Sequence, residues 1–532
     1  MIRIAEEVTI DEEYEFYNKE EFNLFFVKYK AKFICTCDGI LGCIRFTAYP
    51  YLYILTKKKK VALLFGEHKI YTVSNILLIP FKSNNISNSQ LENELINIFY
   101  NSINHKDLYF SYTYNLCHTV QDNYYIQREY LKGNNIYNNR YKNEYIWNYY
   151  HCKKFIKKGI FICLFVIKGY IIQSNFFCSG KLINISYIAR RNYNYAGTRY
   201  RRRGISGKGY SANEVESETI VYEKNNMHAI FAYVQLRGSV PLLWNQFVNS
   251  YKPLKRPEIE FIKTDVKFAC TSQHFKILLH KYGHPIIIVN LLSNNKNSRN
   301  EFNLSQEYKM CIETINKQLP KKIKIIYKHI DMRKTYKIGA KYTQYNFKLL
   351  FKHAYNNIGF FYIRNNNVIS IQTGILRFNC IDCLDRTQVG QLFINIYIII
   401  KFIRLLGSIN RNYISVKNMS HLSYLYEQVG DIIAKQYAGS TAHKKYIPEQ
   451  NNNFFIQSKE LFTSIKRYYI SSFNDLEKQN SINLFLGVIN KKLEDIKKNL
   501  IQKFYNKAKS LLDWDGCNLY HYGTLSQLRH GT

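Results

Sequence analysis

Three observations predict a mostly β N-terminal domain (1–182) packed on an α/β domain (183–475), with a helical extension at 476–532. From about 30 to 182, short runs of Ile, Val, Phe and Tyr are separated by turn residues at strand spacing. From 183 onward, strand-like runs such as Pro285-Ile-Ile-Ile-Val-Asn-Leu-Leu alternate with amphipathic stretches such as Gln306 to Gln318, the rhythm of helices laid on a sheet. Between 366 and 407 a strand-like segment, a cysteine-bearing loop and a long apolar helix follow one another, and such sheets place ligands at the carboxyl ends of their strands.

Taken in order, Lys57-Lys-Lys-Lys60 reads as a solvated turn. Asn- and Ser-rich loops are expected at Ser83 to Ser89, Gly133 to Asn143, Ser293 to Asn300 and Glu449 to Asn453. Gly159 to Gln173 is apolar but shorter than the roughly 20 residues of a membrane span and contains Lys168, so it reads as a core strand or helix. The cluster Arg199, Arg201, Arg202 and Arg203, taken as strand-like, would send alternate members to opposite sides, so at most half could line one site. Gly204-Ile-Ser-Gly207-Lys208-Gly lacks the full G-x-x-x-x-G-K-[ST] of a nucleotide loop and is expected to be a turn. Asn366 to Phe378 alternates as a strand. From Gln388 the residues Val389, Leu392, Phe393, Ile396, Ile399, Ile400 and Ile403 fall at helical spacing, and Gly407 sits at the cap. Lys401 and Arg404 interrupt that helix, so no transmembrane span is expected. Beyond Leu486, Glu494 to Leu512 reads as helix and Asp513-Trp514-Asp515 as a packing anchor.

The chain has 532 residues, enough for more than one core, and at 46% hydrophobic and 21% charged it is globular and not disordered. Lys and Arg number 75 against 39 Asp and Glu, a net charge of +36 that calls for an acidic partner. Zinc-finger spacing, an RNP aromatic pattern and a basic region running into heptads are all missing, so no nucleic-acid partner is expected. An anionic lipid headgroup in a negatively charged leaflet accounts for the charge better. Twelve scattered cysteines, and a start (Met1-Ile-Arg-Ile-Ala-Glu-Glu) too acidic for a signal peptide, point to a reducing compartment.

The chemistry concentrates at Cys380-x5-Arg386. Five intervening residues let the backbone curl round a tetrahedral anion with amides inward while the guanidinium grips its oxygens, and the helix that follows adds partial positive charge. Cys380 is the nucleophile. Asn379, Ile381, Cys383, Leu384, Asp385 and Thr387 complete the substrate-binding loop, Thr387 donating its hydroxyl to the thiolate or capping the helix. The leaving oxygen needs a proton, and Asp382 and Asp385 are the nearest carboxyls, with Asp382 preferred. Cys383 is structural or forms a reversible disulfide with Cys380. Cys380 and Cys383 also make a C-x-x-C, but no second one exists, and Cys35-x-Cys37, Cys117-His118 and His151-Cys152 lack finger spacing, so no metal site is expected. The chemistry requires no cofactor, although Mg can accompany the headgroup.

A bare Cys-x5-Arg arises easily by chance, whereas Arg377-Phe-Asn-Cys380-Ile-Asp382-Cys383-Leu-Asp385-Arg386-Thr387 is far more specific. It resembles the Arg-x-Asn-Cys-x-Asp-Cys-Leu-Asp-Arg-Thr-Asn signature of the Sac-domain phosphoinositide phosphatases, departing only at the last position, where Gln388 replaces Asn. Gly39 to Tyr71, Tyr109 to Leu116, Ile146-Trp147-Asn148, Ile188 to Gly204, Ala212 to Thr219 and Arg237 to Trp244 resemble the same family in the same order, with Asn115 where it usually has Asp. Tyr426 to His443, Arg467-Tyr-Tyr and Ile482 to Gly487 are similar to its endolysosomal or vacuolar branch, with Gln428 for Asp and Ala438 for Gly.

The resemblance implies a Sac N-terminal subdomain packed on a cysteine-phosphatase domain. It implies removal of the 5-phosphate of phosphatidylinositol 3,5-bisphosphate through a phosphocysteine, peripherally on endosomal or vacuolar membranes and without the C-terminal anchor of some Sac proteins. It also leaves open a low-turnover scaffold for an adaptor and a phosphoinositide kinase, on the grounds of Gln388 and Gln428, and a phosphatase for phosphatidylinositol 4-phosphate.

Overall fold

A computed structural model describes residues 2–6, 32–46, 50–80, 90–102, 104–132, 143–157, 162–178, 180–225, 228–246, 258–262, 265–407, 416–442 and 475–488. The expected loops at 83–89 and 449–453, nearly all of 133–143, His443, Arg467, the helix at 494–512 and Trp514 lie outside these residues.

The strands are β1 (Ile2–Glu6), β2 (Lys32–Cys37), β3 (Gly39–Arg45), β4 (Pro50–Leu64), β5 (His68–Pro80), β6 (Leu108–Phe110), β7 (Ile167–Cys178), β8 (Lys181–Arg191), β9 (Val215–Glu223), β10 (Ala229–Ser239), β11 (Trp244–Gln246), β12 (Ile259–Phe261), β13 (Ile286–Asn290), β14 (Ile326–His329), β15 (Phe361–Arg364), β16 (Asn367–Ser370) and β17 (Ile375–Cys380). The helices are α1 (Gln90–Ser102), α2 (Val120–Leu131), α3 (Tyr149–Lys157), α4 (Ala269–Tyr282), α5 (Arg299–Gln318), α6 (Met332–Ile338), α7 (Ala340–Ile358), α8 (Asp385–Leu405), α9 (Val416–Ala438) and α10 (Asp475–Phe485).

Among the described residues, thirteen strands form one mixed sheet whose main path runs β14-β13-β17-β10-β9-β8-β7-β6-β5-β4-β3. From β10 to β3 every pairing along the path is antiparallel, whereas β14, β13, β17 and β10 run parallel to one another. The position expected to divide the chain, 182, lies in the β7–β8 hairpin, whose register runs from Gly169↔Arg190 to Cys178↔Lys181.

Side chains on β8, β9 and β10 alternate between two cores, because successive residues of a strand point to opposite faces. Ile183, Ile185, Tyr187, Val221, Phe231 and Tyr233 join α8 and α9 residues in the larger core. Ile188, Ile220, Tyr222 and Ala232 face a second core with Leu116, Val120 and Ile146. The helix after the loop is apolar nearly all round because it is enclosed. By length and composition α8 is the one helix among the described residues that could cross a membrane, but 72% of its apolar window is buried within the fold.

Three local expectations are corrected. The segment 366–378 is two strands, β16 and β17, divided near Gly374, whose φ of +89° turns the chain. Lys57 to Lys60 lie within β4, paired to β5, since exposure of a charged side chain says nothing about pairing of its backbone. The run Arg199 to Arg203 is a turn and not a strand, so residues four apart reach the same place. The expected turn at 204–209 is present, closed by the Ile205–Ser211 bridge, and the apolar stretch before Gln173 enters β7 as a core strand.

Candidate active site

The loop is positioned by β17, the strand set between β13 and β10. Cys380 is the last residue of β17 and pairs with Ser239, and Asn379 sits between Gly238 and Asn290. The loop thus leaves the carboxyl edge of the four parallel strands, where an α/β sheet binds its ligand. It runs directly into α8, which starts at Asp385, so Arg386 and Thr387 belong to the first turn of the helix.

The curl depends on Cys383, a non-glycine residue held at φ +53°. That left-handed conformation costs roughly 1–2 kcal/mol, and it turns the Cys383 amide onto the sulfur of Cys380, 3.0 Å away. The Cys383 thiol donates to the Gly238 carbonyl at 2.5 Å. A side chain at Gly238 would be crowded, since a Cβ there would lie 3.0 Å from Ser211 Oγ and 3.1 Å from Arg377 Nη2. The loop's carbonyls are held from outside. Arg203 Nη1 donates to Ile381 O at 3.1 Å and Asn213 Nδ2 to Asp382 O at 3.0 Å. Outward carbonyls are the sense of curl that leaves amides facing the centre of an anion-binding loop.

Cys380 is 2% exposed. Burial pushes its thiol up, but the hydrogen bonds from Cys383 and the charge of Arg386 outweigh it and bring the thiol below its ordinary 9.0. Cys383, buried and next to that sulfur, is pushed well up. Of the two thiols, Cys380 is the one whose surroundings favour the thiolate.

Arg386 is held by a carboxylate that the sequence did not reveal. Its Nη1 donates to Glu301 Oε2 at 2.8 Å and to Leu291 O at 3.2 Å, while Nη2 reaches Glu301 Oε1 at 3.2 Å. Glu301 also accepts from Arg333 Nη2 at 2.8 Å and from the Ser293 amide at 2.9 Å. Burial alone would raise the Glu301 carboxyl, yet Arg386 and these donors hold it below the usual range. Glu301 sits in the first turn of α5, far along the chain, and its only sequence signal is an acid near a helix start.

Asp382 faces Arg199 and Arg203. Arg199 Nη2 lies 2.5 Å from Oδ2 and Arg203 Nη1 2.6 Å from Oδ1. Against the effect of burial, the two guanidiniums hold the carboxyl far below its ordinary range, so in this arrangement Asp382 is an ion-pair partner and not a proton donor. Asn379 is fixed by donating to Asn290 Oδ1 at 2.9 Å. The Thr387 hydroxyl is buried and has no hydrogen-bond partner among the described residues. Leu384 is the residue before the helix and packs with Ala434 and Tyr437 of α9. Ile381 contributes its carbonyl, and Asp385 opens the helix.

Gln388 points away from the loop. Its Oε1 accepts from Arg237 Nη1 at 2.6 Å, its Nε2 donates to Tyr426 O at 2.5 Å, and its stem lies against Gly430. The residue that departs from the signature therefore ties α8 to β10 and α9.

Residues 38–337, over half of the chain, match the SacI homology domain. Similar proteins include "Phosphoinositide phosphatase SAC2" of Arabidopsis thaliana, 32% identical over 525 residues that cover 86% of this chain and 64% of that one. "Polyphosphoinositide phosphatase" of Schizosaccharomyces pombe is 32% identical over 471 residues, covering 84% and 55%. "Phosphatidylinositol-3-phosphatase SAC1" of Arabidopsis thaliana is 26% identical over 535 residues, covering 86% and 57%. The chain spans between about half and two thirds of the length of these relatives. The domain match ends before Cys380, but alignments covering 84–86% of the chain are too long to fit on either side of the loop and so include it.

Proposed function

The chain belongs to the SacI homology family, and from that premise we propose that it is a phosphoinositide phosphatase with Cys380 as nucleophile, removing the 5-phosphate of phosphatidylinositol 3,5-bisphosphate. One observation carries the reading: the sulfur of Cys380 stands at the end of a central strand, takes the Cys383 amide at 3.0 Å, and is followed by the N-terminus of α8.

In this reading the Cys380 thiolate attacks phosphorus in line. An S–P bond forms as the P–O bond to the inositol ring breaks. Arg386 exchanges Glu301 for two phosphate oxygens, and the loop amides take the third as charge moves in the transition state. The departing ring oxygen takes its proton from a loop carboxyl. Asp382 can serve only once Arg199 and Arg203 have another anion to hold, and Asp385 is the alternative. Water then attacks the phosphocysteine, releasing inorganic phosphate and restoring the thiolate. These steps are carried by side chains and amides, and the reading assigns no metal.

The strands up to 182 are read as the N-terminal Sac subdomain and those beyond as the catalytic one. The net charge of +36 supports peripheral approach to an anionic leaflet on endosomal or vacuolar membranes. Because Gln388 faces α9 and not the loop, its departure from the signature lends no support to a low-turnover scaffold.

The test is phosphate release from each of the seven phosphoinositides by wild type and Cys380→Ser. Turnover of the 3,5-bisphosphate that Cys380→Ser abolishes is expected. Equal inertness of both proteins on all seven lipids would end the enzyme reading, and turnover of the 4-phosphate alone would end the substrate assignment.

A further inference from the structure

We propose that Arg199 and Arg203 form a second anion subsite beside the Cys-loop, taken by a substrate phosphate other than the one under attack, and that Asp382 is the internal anion this phosphate displaces. The ligand class is a bisphosphorylated inositol headgroup, and the inference rests on the phosphoinositide reading above.

The first ground is charge. Two guanidiniums converge on one carboxylate, which leaves one positive charge in excess. The second is unfilled donors. Arg199 Nε, Arg203 Nε and Arg203 Nη2 are buried and have no hydrogen-bond partner among the described residues. Arg203 lies 2.6 Å from Asp382 Oδ1 but directs its hydrogen bond to the Ile381 carbonyl. Buried donors left unpaired are costly, and a phosphate group brings three oxygens where a carboxylate brings two.

The arginines are also preorganised. Arg199 stacks on Tyr200 at 5.0 Å, and Arg203 lies 5.4 Å from Tyr200 and 5.6 Å from Trp244. From α9, the Tyr437 hydroxyl donates to the carbonyls of Arg199 at 3.3 Å and Arg202 at 2.8 Å, fixing the turn that presents them. The reach is right, because Asp382 is two positions along from Cys380, a span of at most about 7 Å, comparable to the separation of two phosphates on one six-membered ring. The pair is open to the outside, with the Arg199 side chain 18% and Asp382 19% exposed, while Arg203 at 1% forms the floor. When its carboxylate is displaced, the backbone of Asp382 stays tethered by Asn213.

Calorimetric titration of the full chain with inositol 1,3,5-trisphosphate and inositol 1,3-bisphosphate, headgroups differing in one phosphate, tests the subsite. Wild type should prefer the first by about tenfold or more, the worth of one or two charge-assisted hydrogen bonds. Arg199→Gln should bring that ratio to within about twofold of one, and Arg199→Lys should restore part of it, keeping the charge without the fork. Asp382→Asn, which removes the competing charge at nearly constant volume, should tighten the trisphosphate and carries the test if Arg199→Gln does not fold. A ratio unchanged by Arg199→Gln, or trisphosphate binding not tightened by Asp382→Asn, overturns the proposal. Binding needs no turnover, so a preserved ratio without hydrolysis sinks only the enzyme reading, and a flat ratio with hydrolysis intact sinks only the subsite.

Discussion

A left-handed cysteine shapes the surroundings of Cys380, since Cys383 turns its amide onto that sulfur and its thiol toward the same neighbourhood. With the Cys380 thiol below its ordinary 9.0 against the pull of burial, the rate of alkylation by iodoacetamide should rise with pH through an inflection below 9. Cys383→Ala, which removes the thiol and keeps the amide, should move that inflection upward, and an unchanged profile would show that the amide, Arg386 and the helix suffice without the thiol. Arg386 in turn owes its aim to Glu301. Glu301→Gln should lower kcat by about ten- to a hundredfold, the scale set by a misplacement of about 1 Å, with a smaller change in KM. Asn379 to Thr387 could be named from the sequence because they are contiguous and their types match one chemistry. Glu301 could not, because 85 residues separate it from Arg386 and only the fold brings them together. Asp382 is legible in the same way as the rest of the loop, but its ion pairs are not, because Arg199 and Arg203 come from a different segment.

Elements were legible where a pattern filled them. The apolar spacing from Val389 to Ile403 falls in α8, and the apolar run 285–292 contains β13, because one is enclosed and the other lies mid-sheet. Charged runs were less legible, because the charge of the lysines in β4 and of the arginines before Gly204 says nothing about how their backbone pairs, and in 366–378 one pattern spans two strands. Gln388 joins three elements through a side chain that Asn, one methylene shorter, could not extend to Arg237 and Tyr426 together. Gln388→Asn should therefore lower stability by about 1–3 kcal/mol, the cost of leaving buried polar groups unpaired, read as a shifted urea midpoint. Phosphate release per folded molecule should stay within a few-fold, and a large loss there would place Gln388 in the catalytic loop after all. Gly430 must stay small beside it, since a Cβ would meet the Gln388 stem at 2.7 Å.

Across the molecule, charge and burial act at different ranges. Raising ionic strength from about 0.01 M to about 1 M shortens the screening length from about 30 Å to about 3 Å, which should release the protein from anionic vesicles if its net charge of +36 holds it there; retention at high salt would point to apolar insertion. Within the fold, Lys168 on β7 is buried 5.3 Å from the Trp147 ring. Burial brings its amine down to about 7, with Asp107 opposing and Arg191 assisting. Because the folded value lies below the unfolded one of about 10.4, the cost of burying the charge is full below pH 7 and fades as pH rises toward the unfolded value. Lys168→Met should accordingly raise the melting temperature more at pH 6 than at pH 10, and an equal gain at both would mean the amine finds water. The order in which the sheet is completed has its own consequence. The strand carrying Cys380 slots between β10 and β13, both made earlier in the chain, so a nascent polypeptide halted before residue 375 presents two unpaired strand edges and no Cys-loop. The sheet closes and the loop is anchored only with this last strand, so an interrupted synthesis leaves edges free to pair with other chains.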